Sequence, residues 1–96
     1  MTTQPVDISR LETSELIFPV GDVVAHHADQ QRRLKRIHKA TLMGNLKHEK
    51  VHIIFATESN IFQVYTTIWL YYGGCIYLKG DVTIPVERVV DIHFES

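Results

Sequence analysis

A chain of 96 residues and 11.1 kDa, 45% hydrophobic and 22% charged, has ordinary globular composition and offers one domain's worth of core. Ten Lys and Arg against eleven Asp and Glu leave a net charge of −1, which excludes a global basic field. One cysteine excludes an intrachain disulfide framework and a Cys-rich zinc site, and no apolar run approaches the ~20 residues of a membrane-spanning helix. With no signal-peptide pattern at the start, a cytoplasmic protein is expected.

The charges are segregated along the chain. Residues 1–31 carry Asp7, Glu12, Glu15, Asp22 and Asp29 against Arg10 alone. Residues 32–50 carry Arg32, Arg33, Lys35, Arg36, Lys39, Lys47 and Lys50 against Glu49 alone. Beyond Lys50, acids again outnumber bases. The pattern divides the chain into an acidic leader, residues 1–22, and a single domain over 23–96. In the leader, Pro5, Pro19 and the early Thr and Gln residues predict a mobile terminus. Leu16-Ile17-Phe18 with Val20 is too apolar to stay solvated and is expected to dock on the body or on a partner, with a short strand as one form.

Residues 23–43 are predicted helical. At 100° per residue Val23, Leu34, Ile37 and Thr41 fall on one side, and Arg32, Lys35, Arg36 and Lys39 gather opposite. Asp22 or Asp29 is the expected N-cap, and Gly44-Asn45 the expected stop. From residue 50 to 94 the pattern is β. Val51–Phe55 is a strand; Glu58-Ser59-Asn60 is a turn; Ile61–Tyr72 is a long aromatic and β-branched strand that must bend. Gly73-Gly74 and Gly80-Asp81 are turns bounding Cys75–Lys79, and Val82–Ile84 ends at Pro85. Val86-Glu87-Arg88 is expected to form one tight turn before a last strand, Val89–Phe94. The fold class is therefore mainly β with an N-terminal helix. An open sheet of this size exposes two edges, so the expected architecture is a small, strongly bent five-stranded antiparallel barrel with the helix across one end.

This order of elements resembles the Sm-like and SH3-like small barrels over roughly residues 27–94. The segment Val82-Thr83-Ile84-Pro85-Val86-Glu87-Arg88-Val89-Val90-Asp91-Ile92 is similar to the strand, tight turn and final strand that close Sm-like barrels, including the bacterial RNA chaperone. It is also similar to the end of Rof, a small Sm-like inhibitor of the terminator Rho. The resemblance implies a small bent barrel, and ring assembly through the last two strands as one form of oligomer. It does not bring the family's uracil pocket, because Glu87-Arg88 occupies the turn and no Asp-x-x-x-Asn stands in the long strand.

The basic helix face is the main candidate site. Arg32, Lys35, Arg36 and Lys39 suit phosphates of single-stranded nucleic acid or an acidic protein surface; the alternative is a solvated face neutralised by the acidic leader. Gln63, Tyr65, Thr67, Trp69 and Tyr71 are expected on one face of the long strand, with Phe62, Val64, Thr66, Ile68, Leu70 and Tyr72 on the core face. Tyr65 and Trp69 are then candidates to stack on bases, unless they fill the core under the helix. Of the six histidines, His48 and His52 stand at His-x-x-x-His spacing but on separate predicted elements, and adjacent His26 and His27 diverge around a helix. Cys75 has no neighbouring base in sequence, and no phosphate-binding glycine loop is present, so no metal, cofactor or catalytic residue is assigned. The expectation is a non-enzymatic adaptor or regulator that engages a protein partner through the basic helix or an open strand edge. Single-stranded RNA binding and a homo-oligomeric structural barrel are the alternatives, and no membrane role is expected.

Overall fold

The computed structural model describes residues 4–95. The leader contributes a two-residue strand β1 (Val6–Asp7) and one helical turn α1 (Arg10–Thr13). The long helix α2 (His27–Lys47) follows. The strands are β2 (Val51–Ala56), β3 (Ile61–Thr66), β4 (Ile68–Tyr72), β5 (Cys75–Leu78), β6 (Val82–Pro85) and β7 (Val89–Phe94), with a 3₁₀ turn at Val86–Arg88 between the last two. They form a four-stranded sheet in the order β1-β3-β2-β7 and a three-stranded sheet in the order β4-β5-β6. Apart from the parallel β1–β3 pair, neighbours are antiparallel. The chain is mainly β with one long helix, as its periodicities predict. No helix among the described residues is long and apolar enough to cross a membrane.

The two sheets share one core because β3 and β4 are successive halves of the long strand, broken at Thr67. Val51, Ile53 and Phe55 from β2, Val64 from β3, Ile68 from β4, Ile76 and Ile84 from the second sheet, and Val89 and Ile92 from β7 are all essentially inaccessible to water. Each such aliphatic or aromatic side chain stabilises the fold by about 1.5–3 kcal/mol relative to exposure, before the entropy of ordering is subtracted. Gly73 and Gly74 both have positive φ, +62° and +78°, the backbone that a two-residue hairpin between β4 and β5 requires.

Four features of the sequence reading are corrected. Helix α2 starts at His27 rather than residue 23, because Asp22 does not cap it: its Oδ1 accepts the Val24 N–H at 2.7 Å in a local turn. The helix also runs through Gly44-Asn45 to Lys47, where His48 ends it at φ +55° and donates its N–H to Gly44 O at 3.0 Å. Gly44 is there for packing: a Cβ would lie 2.4 Å from Ile68 O and 2.8 Å from Thr67 Cγ2. Third, of the two forms offered for the leader, mobile or docked, the described residues 4–22 take the docked one. Val6 and Asp7 pair with Phe62 and Gln63, Ser9 and Glu12 form a reciprocal capping box around α1, and Phe18 packs against Phe55 at 5.9 Å.

The fourth correction concerns the long strand. Its expected core face holds as far as Ile68, with Thr67 buried as well at the break, and then slips, because the β4–β5 register shifts between Ile68 and Leu70. One extra residue moves every later side chain to the other face. Leu70 and Tyr72, expected in the core, are therefore 50% and 71% exposed, while Tyr71 packs against the core.

Candidate partner-binding surface

The predicted basic residues lie along α2 but do different work. Arg32 is exposed and pairs with Asp29 one turn earlier, at 3.1 Å. Lys35 is exposed; Lys39 is exposed and its Nζ sits 4.7 Å from the centre of the Phe94 ring. Arg36 is partly withdrawn: Nη1 donates to Ile92 O at 2.9 Å and lies 3.7 Å from Asp91 Oδ1. Among the described residues Lys35, Lys39 and Lys47 have no ion-pair partner, and neither do Glu12 and Glu15 of the leader. The leader touches the basic segment through one carboxylate, Asp22, and the base it meets is Arg33.

The two predicted stacking residues are not brought together. Tyr65 lies on the outer face of the four-stranded sheet, stacked on His52 at 4.4 Å, and donates its hydroxyl to Glu95 Oε2 at 3.0 Å. That hydrogen bond, with Glu95's charge, raises the Tyr65 pKa above its ordinary value of 10.0. Trp69 is half-buried on the other sheet, edge-on to His48 at 5.5 Å. Among the described residues no three His, Cys, Asp or Glu side chains converge in a way that could hold a metal ion.

Helix α2 covers strand edges. Arg33 Nη1 donates to Val89 O at 3.0 Å and Arg36 to Ile92 O, while the Ile92 N–H is taken by its neighbour's Asp91 Oδ1 at 2.8 Å. On the other side Asn45 Nδ2 donates to Trp69 O at 2.9 Å. Carbonyls of β7 and β4 that would otherwise attract another strand are thus satisfied from within the chain.

Two arginines that the sequence reading left unassigned are structural anchors. Arg33 is 6% exposed and holds Asp22 with both terminal nitrogens, Nη1 to Oδ1 at 2.8 Å and Nη2 to Oδ2 at 2.7 Å. This bidentate pairing holds the Asp22 carboxyl below the ordinary carboxylate pKa of 3.8. Arg88, in the 3₁₀ turn, donates to Ala56 O, Thr57 O and Gly21 O at 3.0–3.1 Å. Helical spacing could have found Arg33, since it shares the stripe of the buried Ile37, Ala40 and Gly44.

The surface that remains free is apolar at one end and basic at the other. Register places Leu70, Tyr72, Cys75, Tyr77, Thr83 and Pro85 together on the outer face of the three-stranded sheet, and none carries a charge at neutral pH. A groove of about 310 Å³, lined by His38, Thr41, Leu42, Asn45, Leu70 and Tyr71, joins this face to α2. Along α2 the exposed residues Arg32, Lys35, Lys39, Leu42 and Leu46 follow one another at alternate spacings of three and four, so they form a single line facing solvent. Leu42 and Leu46 are 59% and 70% exposed. Contiguous apolar surface of this kind, bordered by charge, is characteristic of interaction sites. The sheet-face half was missed because the shift after Ile68 inverts the apparent faces of β4. No protein-family model, curated protein or solved structure matches the chain.

Proposed function

We propose that this is a non-catalytic binding domain whose ligand is a protein segment carrying apolar side chains flanked by carboxylates. The observation that supports it most is the continuity of the uncharged outer sheet face (Leu70, Tyr72, Tyr77) with Leu42 and Leu46, and then with the unpaired Lys35 and Lys39. Burying Leu and Tyr side chains supplies affinity, and the lysines supply orientation and encounter rate. An amphipathic acidic helix satisfies both, since its leucines can meet Leu42 and Leu46 while its acids meet the lysines one or two turns away.

The reading of the two sheets as one small, strongly bent barrel of Sm-like or SH3-like type belongs to the same proposal. It is supported by the bend at Thr67 and the 3₁₀ link between β6 and β7. Single-stranded RNA is the second reading, favoured by the unpaired lysines but not by the aromatics, of which Tyr65 is already stacked and hydrogen-bonded.

A two-dimensional amide NMR titration separates them. With a synthetic Leu- and Glu-containing amphipathic peptide, shifts are expected at Leu42, Leu46, Leu70, Tyr72 and Tyr77, and to persist at physiological salt. If only a mixed-sequence RNA moves amides, at Arg32–Lys39 and Tyr65 and only at low salt, the RNA reading replaces this one.

A further inference from the structure

The leader of this chain has the chemistry that the apolar and basic surface calls for. Leu11, Ile17 and Val20 are 75%, 88% and 95% exposed, an unusual concentration for a docked segment. Glu12 and Glu15, without ion-pair partners among the described residues, stand among them, and Glu58 in the β2–β3 turn is close by. Between the leader and that turn lies an open cavity of about 360 Å³, walled by Leu16, Ile17, Pro19 and Phe62 and rimmed by Glu58. It is wide enough for a leucine side chain. Helix α1 packs on β3 and β6, whereas α2 packs on β4 and β7, so the acidic and basic surfaces are built on different strands.

We propose that the occupant of the α2 and outer-sheet surface is the leader of a second copy of this chain. The proposal rests on the partner-binding reading above and deepens it. Leu42 or Leu46 of one copy enters the cavity beside Ile17 of the next, and Lys35 and Lys39 meet Glu12, Glu15 and Glu58. The charge pattern favours this over a symmetric pairing of like surfaces, which would set one copy's lysines against the other's. It also gives partners to Lys35 and Lys39, and to Glu12 and Glu15, which have no ion-pair partner within one copy among the described residues. The contact joins two different patches, so it is head-to-tail, and each added copy leaves one patch of each kind open unless a ring closes.

The test is sedimentation velocity on the full chain and on two variants at exposed sites, Ile17→Asp in the leader and Leu46→Asp on the helix, with circular dichroism verifying the fold. The wild type is expected to gain mass with concentration and to pass the dimer. Each variant alone is expected to associate about tenfold more weakly, or to remain monomeric. An equimolar mixture is expected to form a one-to-one pair and stop there, because each variant retains the surface the other lacks. A wild type that stays monomeric from micromolar to millimolar concentration overturns the proposal. So does an Ile17→Asp protein that associates as tightly as the wild type, since that means like surfaces pair. If the wild type is monomeric while the acidic peptide still binds at Leu42 and Leu70, only the second-copy occupant fails; if the peptide fails too, the surface reading fails with it.

Discussion

Gly44→Ala is expected to destabilise the protein although it improves the helix. In an exposed helix interior the change would favour folding by about 1 kcal/mol, the propensity difference between the two residues. Here the new Cβ would stand 2.4 Å from Ile68 O, where ordinary contact starts near 3.4 Å, so α2 and β4 must separate by about 1 Å. The obstructing atoms are a backbone carbonyl and the methyl of buried, β-branched Thr67, neither of which can swing aside. Overpacking of this type costs about 1–3 kcal/mol, and a backbone clash belongs in the upper part of that range. The net loss is about 1–2 kcal/mol, a fall in Tm of roughly 5–15 °C for a domain of this size. Thermal and urea unfolding followed by circular dichroism measure it, with exposed Gln31→Ala as a control expected within about 0.5 kcal/mol of wild type. A Gly44→Ala protein as stable as wild type, or more so, would refute the close approach of α2 to β4 and with it the groove between them.

Three further outcomes follow from the same structure. Asp22 has a lower pKa folded than unfolded, so its contribution to stability is fully present above the unfolded value near 3.8 and is lost as pH falls through the lower folded value. In Asp22→Asn the acid limb of the stability–pH curve is accordingly expected to flatten; an unchanged limb in urea melts contradicts the Arg33 pairing. Arg88→Ala leaves three main-chain carbonyls without their charged donor and is expected to cost about 2–4 kcal/mol, with Lys a poor substitute because Nε, Nη1 and Nη2 are all used. Tyr65 is expected to ionise above pH 10 and to return toward that value in Glu95→Gln, read from its ring resonances; identical titration in both proteins would sever the two groups.

The sequence carried most strand boundaries from β2 onward because half-buried strands alternate and turns concentrate Gly, Asn and Asp. Val51–Phe55, the hairpin at Gly73-Gly74 and the turn at Val86–Arg88 are all where those rules put them. The ends of α2 were not legible, because tertiary contacts fix them: Asp22 is drawn off to Arg33, and Gly44 is demanded by Ile68 rather than by a helix stop. The basic row was legible as composition. That Arg33 and Arg36 bond to β7 carbonyls was not, since such bonds join residues 56 apart in sequence. The outer sheet face was hidden by a single register shift, which turned Leu70 and Tyr72 from expected core into exposed surface.

On the proposed function, an acidic, apolar protein segment buries the surface running from Leu42 and Leu46 across Leu70 and Tyr72. Isothermal titration calorimetry of the Leu- and Glu-containing peptide against wild type and Leu70→Ser, at several temperatures, tests it most directly. Leu70 is half exposed, so the substitution is expected to cost about 1 kcal/mol and to leave the protein folded at the titration temperatures, as circular dichroism would verify. Binding with a negative heat-capacity change that Leu70→Ser weakens about tenfold is the predicted result. Binding that Leu70→Ser leaves intact, with no heat-capacity change and an affinity that vanishes at physiological salt, would mean that charge alone attracts the peptide and that the apolar surface is not buried by it.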